Sequence, residues 1–198
     1  MSITESRNAA AATVAAATAD PGPLGLAGFA GPFLVLSFVN AGALDGSALV
    51  ATVVPFALFY GGLVQIVAAI MEFRRGNTFG TMAFATFGAF WLSFATYTRW
   101  FSTGASAAAT GMFIVVLTII AAILTLAAAR VGVVMLVLFA LLTVTFLVLA
   151  IASYQSSVHT QAIGGWLGVV TSIVAFYASA ATLVNDIWKR NVLPMLSR

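Results

Sequence analysis

Thirteen charged side chains divide this chain of 198 residues, and their positions constrain its fold more than any motif does. They leave five stretches without a formal charge: 21–44, 46–71, 76–98, 100–129 and 131–185. A helix that crosses a bilayer needs about 20 mostly apolar residues, so each of the first four stretches holds one span and the last, 55 residues long, holds two. The polar cluster Ser153-Tyr154-Gln155-Ser156-Ser157-Val158-His159-Thr160-Gln161 reads as the hairpin loop that divides this last stretch. The sequence therefore predicts an all-α integral membrane protein with spans over 24–43, 48–71, 79–98, 110–129, 132–153 and 162–185, forming one six-helix domain over 21–190.

An even number of spans puts both termini on one side. That side then holds Arg7, Arg74, Arg75, Arg130, Lys189, Arg190 and Arg198, against Arg99 alone on the other, so both termini are expected in the cytoplasm. Residues 1–20 read as a mobile cytoplasmic tail, because Glu5 balances Arg7 and the run from Ala9 to Ala19 is too weakly hydrophobic for a signal peptide. Residues 191–198 read as a cytoplasmic carboxyl tail. The net charge of +3 does not point to nucleic acid, since the basic residues lie at helix ends and form no stripe interleaved with aromatics. With no cysteine there is no disulfide framework and no thiolate chemistry.

Nearly the whole chain is membrane, so its function is expected within the bilayer. The acids Glu5, Asp20, Asp45, Glu72 and Asp186 lie in the tail or at span ends, and no paired carboxylates, metal-ligand set or activated nucleophile can be assembled. The sequence thus argues against an enzyme and against a metal or other cofactor. It also argues against a cation path, which would retain an intramembrane carboxylate in spite of its cost of about 2.5 to 3.5 kcal/mol. Hydroxyls and amides suit a small anion or neutral acid better. Candidates along such a path are Asn40 on span one, Gln65 on span two, Thr86, Ser93 and Thr96 on span three, and Thr143 on span five. Each has a competing reading: the two amides could join helices, and each hydroxyl could bond back to its own helix. His159 is either a loop histidine or a pH-responsive group at the outer mouth. Pro32 and Pro55 interrupt spans one and two, as suits helices that border a path or pack tightly.

Two segments are similar to the acetate uptake transporter family of six-helix proteins, which includes the bacterial succinate-acetate permeases. The first, Asp20-Pro21-Gly22-Pro23-Leu24-Gly25-Leu26, resembles the family's amino-terminal signature Asn-Pro-Ala/Gly-Pro-Leu-Gly-Leu. The second runs from Phe59-Tyr60-Gly61-Gly62 through Gln65 to Glu72-Phe73-Arg74-Arg75-Gly76-Asn77-Thr78-Phe79-Gly80 and on to Gly88-Ala89-Phe90-Trp91. The resemblance implies a homo-hexamer in the plasma membrane, with a path for acetate, other short monocarboxylates and in some members succinate through each protomer. It also implies a hydrophobic constriction, which falls here on Phe29, Phe87 and Leu142, and a small residue on span six, here Ala175. Counting about 1.5 Å per residue from the span starts puts the three constriction residues at roughly 8, 12 and 15 Å depth, close to one level.

Two departures from the family pattern bear on function. Asp20 replaces the usual Asn, placing a negative charge at the cytoplasmic entrance, and Phe87 stands where many bacterial members carry Tyr. The leading expectation is an anion channel for acetate-like monocarboxylates. The alternative is proton-coupled acetate symport, with the proton carried on the substrate or through His159 or Glu72, and a non-transporting carboxylate sensor or scaffold is a further one.

Overall fold

The computed structural model describes residues 19–196, so all of the expected amino-terminal tail except Ala19 and Asp20 lies outside the described residues. Among these residues six helices are long and apolar enough to cross a membrane: α1 Gly22–Asn40, α2 Leu49–Arg75, α3 Thr78–Gly104, α4 Ala107–Ala128, α5 Val133–Gln155 and α6 Val158–Trp188.

Local chemistry sets the helix ends. Pro21 and Pro23 open α1, where a missing N–H costs nothing, and Asp20 Oδ1 accepts the Gly22 N–H at 2.8 Å. Gly76, at φ 75°, stops α2 in a left-handed turn, and Asn77 starts α3 by accepting the Gly80 N–H at 3.1 Å. Ser106 and Ser157 cap α4 and α6 in the same way. Helix α2 widens to π-helix over Leu49–Val53 and Ala57–Val64, on either side of Pro55.

The structure corrects the hairpin expected over 153–161. Ser153, Tyr154 and Gln155 complete α5, Val158 opens α6, and only Ser156 and Ser157 connect them. Polarity here marks the depth at which the chain leaves hydrocarbon. The helix itself continues, because its end is fixed by the left-handed Ser156 and the Ser157 cap, and Ser153 Oγ donates to the Ala107 carbonyl at 2.9 Å. Helices α2, α3 and α6 likewise run past the expected span ends, to Arg75, Gly104 and Trp188.

Helices α2 and α3 pack as one pair, and α4, α5 and α6 as a second group; α1 joins them by packing on both α2 and α6. The α1–α6 seam uses small residues. A Cβ on Gly165 would collide with the Asn40–Ala41 backbone, and one on Gly168 with the Ser37 hydroxyl. Hydroxyls link the neighbouring helices, with Thr145 to Thr171 at 3.2 Å and Thr125 to Thr143 at 3.0 Å. Large apolar side chains such as Ile119, Leu126 and Phe73 face outward, as a lipid environment allows. Residues after α6 fold back. Asn185 Oδ1 accepts the N–H groups of Val192 and Leu193, its Nδ2 donates to the Leu193 carbonyl, and Tyr177 donates to the Pro194 carbonyl.

Two outcomes test this account. Gly168→Leu overpacks the seam and should lower stability by about 1 to 3 kcal/mol, read as a fall in the thermal unfolding midpoint in detergent. Gly104→Leu, where no neighbour lies within reach of a Cβ, is the matched control. Asn185→Ala removes four hydrogen bonds from the carboxyl segment, so amide exchange at Val192 and Leu193 should accelerate while exchange in the helices holds.

Candidate functional site

Three cavities follow one another through the bundle. The first, about 150 Å³, opens at the end that carries Asp20, Glu72 and Asn77, near the basic residues. The second, about 20 Å³, is lined by Leu26, Phe29, Gln65, Ala83, Phe84, Phe87, Leu138, Phe139 and Leu142. The third, about 230 Å³, has an aromatic floor that includes Phe33, Phe90 and Phe146 and a polar rim of Asn40, Tyr97, Thr110, Ser153 and Gln161. The first two share Leu26, Ala83, Phe84 and Phe139, so only side chains separate them.

The middle cavity has room for about one water molecule, so the path is closed there. Interlocking rings close it. Phe29 meets Phe87 edge-on at 5.2 Å and Phe33 at 4.9 Å, and Phe146 lies 6.2 Å from Phe87 and 6.0 Å from Phe33. Trp91 joins the next layer, 6.3 Å from Phe33 and 4.8 Å from Phe90. Offset and edge-to-face contacts in this range are the favourable arrangements for aromatic rings.

Of the residues singled out from sequence, Phe29, Phe87, Leu142 and Gln65 meet at this one cavity. Gln65 is 1% exposed; its Nε2 donates to the Gly25 carbonyl at 3.1 Å, joining α2 to α1. Its Oε1 finds no hydrogen-bond partner among the described residues. Asn40 lines the third cavity, where its Oδ1 accepts from Gln161 Nε2 at 3.2 Å.

Thr86 and Thr143 were expected on the path, but neither lines these three cavities. Thr143 donates to the Phe139 carbonyl at 2.8 Å and meets the Thr125 hydroxyl of α4 at 3.0 Å, and Thr86 lies 3.9 Å from the Met82 sulfur on its own helix, so both hydroxyls are engaged within the helix packing. Ala175 is fully buried and also lines none of them; it belongs to the packed core.

The entrance signature has structural duties. Leu26 lines the first two cavities, and the Pro23 carbonyl accepts from Ser179 on α6 at 2.7 Å. Gly25 lies under Phe84 so closely that a Cβ would come within 2.6 Å of the ring, while Leu24 is exposed and Pro21 buried. Asp20 is not the bare negative charge expected at the mouth, because its carboxylate pairs with Arg75 at 2.7 Å and also takes the Gly22 N–H. Glu72 ends α2 as expected, yet its carboxyl is turned inward, only 2% exposed, with Asn77 donating to it at 2.9 Å.

Phe33, Phe139, Phe146 and Leu138 were missed. Their signal was helical spacing: Phe33 lies one turn from Phe29, and Phe139, Leu138 and Phe146 lie three or four residues from Leu142.

The chain matches the GPR1/FUN34/yaaH family over residues 4–195. It is 33% identical over 186 residues to the succinate-acetate/proton symporter SatP of Escherichia coli K12, a match that covers 89% of this chain and 95% of that protein. It is 40% identical over 176 residues to ammonia transport outward protein 2 of Saccharomyces cerevisiae; this match covers 84% of this chain and 62% of the yeast protein, so the chain spans under two-thirds of that relative's length. The solved structure of the bacterial acetate channel SatP superposes with a TM-score of 0.85 at 28% identity, covering 90% of this chain and 99% of that one. With its six helices and its path barred by aromatic rings, the chain belongs to the GPR1/FUN34/yaaH family, whose members include membrane carriers and channels for acetate.

Proposed function

We propose that each protomer passes acetate and similar short monocarboxylates across the membrane through the three cavities, with Phe29, Phe87 and Leu142 forming the gate. The observation that carries this reading is the meeting of these three residues, one each from α1, α3 and α5, around a 20 Å³ space with wider space on both sides. No acid or base lines that middle cavity, so the barrier rests on size and on the reluctance of a narrow apolar neck to hold water. Relatives named for transport support passage in place of catalysis. The homo-hexamer in the plasma membrane is proposed from the resemblance of the signature segments to the acetate uptake transporter family, and the seven-to-one distribution of basic residues supports both termini in the cytoplasm.

Labelled acetate should enter proteoliposomes faster than protein-free vesicles. Leu142→Ala, which shortens a side chain lining the middle cavity, should raise succinate flux by about tenfold, the effect of relieving roughly 1.4 kcal/mol of barrier. Acetate uptake at the protein-free rate, or succinate uptake unmoved by Leu142→Ala, would overturn the reading. Ala175→Gly should leave succinate flux closer to that of the natural chain, because Ala175 borders none of the three cavities.

A further inference from the structure

Helix α5 begins without a side-chain cap, because Gly132 stands at the capping position. Its first N–H, that of Val133, is taken instead by the Leu196 carbonyl at 3.2 Å. The segment that supplies this carbonyl is held in place. Met195 packs on the hydrophobic core, and its carbonyl oxygen lies 3.8 Å from where a Cβ on Gly132 would stand. Leu196 has a left-handed backbone at φ 49°, which costs a leucine energy and persists where its bonds hold it. At the other end the segment is fastened to α6 by Asn185 and by Tyr177, which donates to the Pro194 carbonyl at 2.8 Å. Residues 191–196 thus form a clasp from the end of α6 to the start of α5.

The first half of α5 borders the path. Val131, just before the helix, and Met135 line the Asp20 cavity, Phe139 lines both that cavity and the middle one, and Leu138 and Leu142 line the middle one. These positions recur every three or four residues, so they form one stripe along the helix. Between Val133 and Leu142 the bond to Leu196 is the one hydrogen bond to another element among the described residues; the next ones come at Thr143 and Thr145. Apolar contacts are non-directional, whereas a hydrogen bond weakens steeply when distorted, so the clasp supplies the directional tie at this end of the helix. Leu142 lies nine residues from Val133, about 13 Å along a stiff helix, so a tilt or turn of the first turn carries through to the gate. We infer that residues 193–196 are a positioning segment for passage: by capping α5 they set its place, and with it the clearance that Phe139 and Leu142 leave at the middle cavity. With the clasp fastened, a solute passes only as far as side chains yield. With it released, the wall itself can draw back and a larger dicarboxylate is excluded less well.

This inference rests on the proposed passage of monocarboxylates and names what holds its gate in register. Val133→Pro is the sharpest test. Proline is tolerated at the first position of a helix and Gly132 before it is extended, so the change removes the N–H that Leu196 accepts and little else. Ala107→Pro, at the first residue of α4, is the matched control, since that N–H has no partner among the described residues. In proteoliposomes of the full chain, Val133→Pro should raise the ratio of succinate to acetate flux by roughly two- to tenfold, the range set by the net worth of one hydrogen bond, while Ala107→Pro keeps the natural ratio. Asn185→Ala, which loosens the clasp at its α6 end, should move the ratio the same way. A merely structural role would lower the thermal unfolding midpoint and leave the ratio alone. A ratio unmoved by Val133→Pro, or moved as far by Ala107→Pro, overturns the inference and leaves the monocarboxylate path standing. If Val133→Pro does not fold, Asn185→Ala decides, and failure of both to fold overturns the inference too, because the segment would then belong to the fold itself. A natural chain that passes acetate no faster than protein-free vesicles overturns the path, and this inference with it.

Discussion

In hydrocarbon no water is present to bond a peptide group, so each N–H and C=O must be bonded within its own helix, and the rest of the structure depends on that constraint. It explains why the described chain is nearly all helix and why the turns between spans are short and capped by Asn77, Ser106 and Ser157. It also gives meaning to the places where the ladder is broken. Pro32 has no N–H to give the Gly28 carbonyl, and α2 is π-helical on both sides of Pro55. Both departures fall on α1 and α2, the two helices that Gln65 joins at the middle cavity. Gly28 takes part in that junction, since a Cβ there would stand 3.0 Å from the Tyr60 carbonyl oxygen and 3.2 Å from the Gln65 side chain.

The same exclusion of water sets the electrostatics. Charges lie near helix ends, where they find partners: Asp20 with Arg75, Lys189 with Asp186, and Arg190 over the Trp188 ring. Between these ends the lining turns from polar at the mouths to aromatic at the centre, so a solute gives up its water in stages.

Much of this was legible in the sequence because its signals were ones of exclusion. Thirteen charges, read by position, imply six helices, since a charge inside a span is costly wherever it points. That Phe29, Phe87 and Leu142 meet was legible only through the likeness to a known family; they are three apolar residues among many, and nothing in their spacing says that three separate helices bring them to one cavity. Hydroxyls are weak signals of a path for a physical reason. Thr86 and Thr143 are polar and lie in mid-span, but a threonine can bond to its own preceding turn, so its presence carries little information about a path. An amide reaches further and has two ends. Gln65 both joins helices and faces the cavity, so the two readings offered by the sequence were two halves of one side chain. The loop at 153–161 was misplaced because polarity reports depth, whereas a helix ends where a cap and a left-handed residue end it.

The packing also says which parts can yield when a solute larger than water passes. Along the α1–α6 seam, Gly165 lies on the Asn40–Ala41 backbone and Gly168 on Ser37 with no room for one further carbon, and Ser179 ties the start of α1 to α6. Sliding these helices would break contacts that have no slack. The rings at the centre are different. They meet at centroid distances of 4.9 to 6.4 Å, mostly tilted or edge-on, and an open cavity lies on either side of them. A turn of Phe29 or Phe87 about its side-chain bonds gives up aromatic contacts worth about 0.5 to 1.5 kcal/mol each and moves no helix. That cost is small beside the cost of parting helices, so widening of the 20 Å³ space falls to the side chains while the backbone holds the path in register.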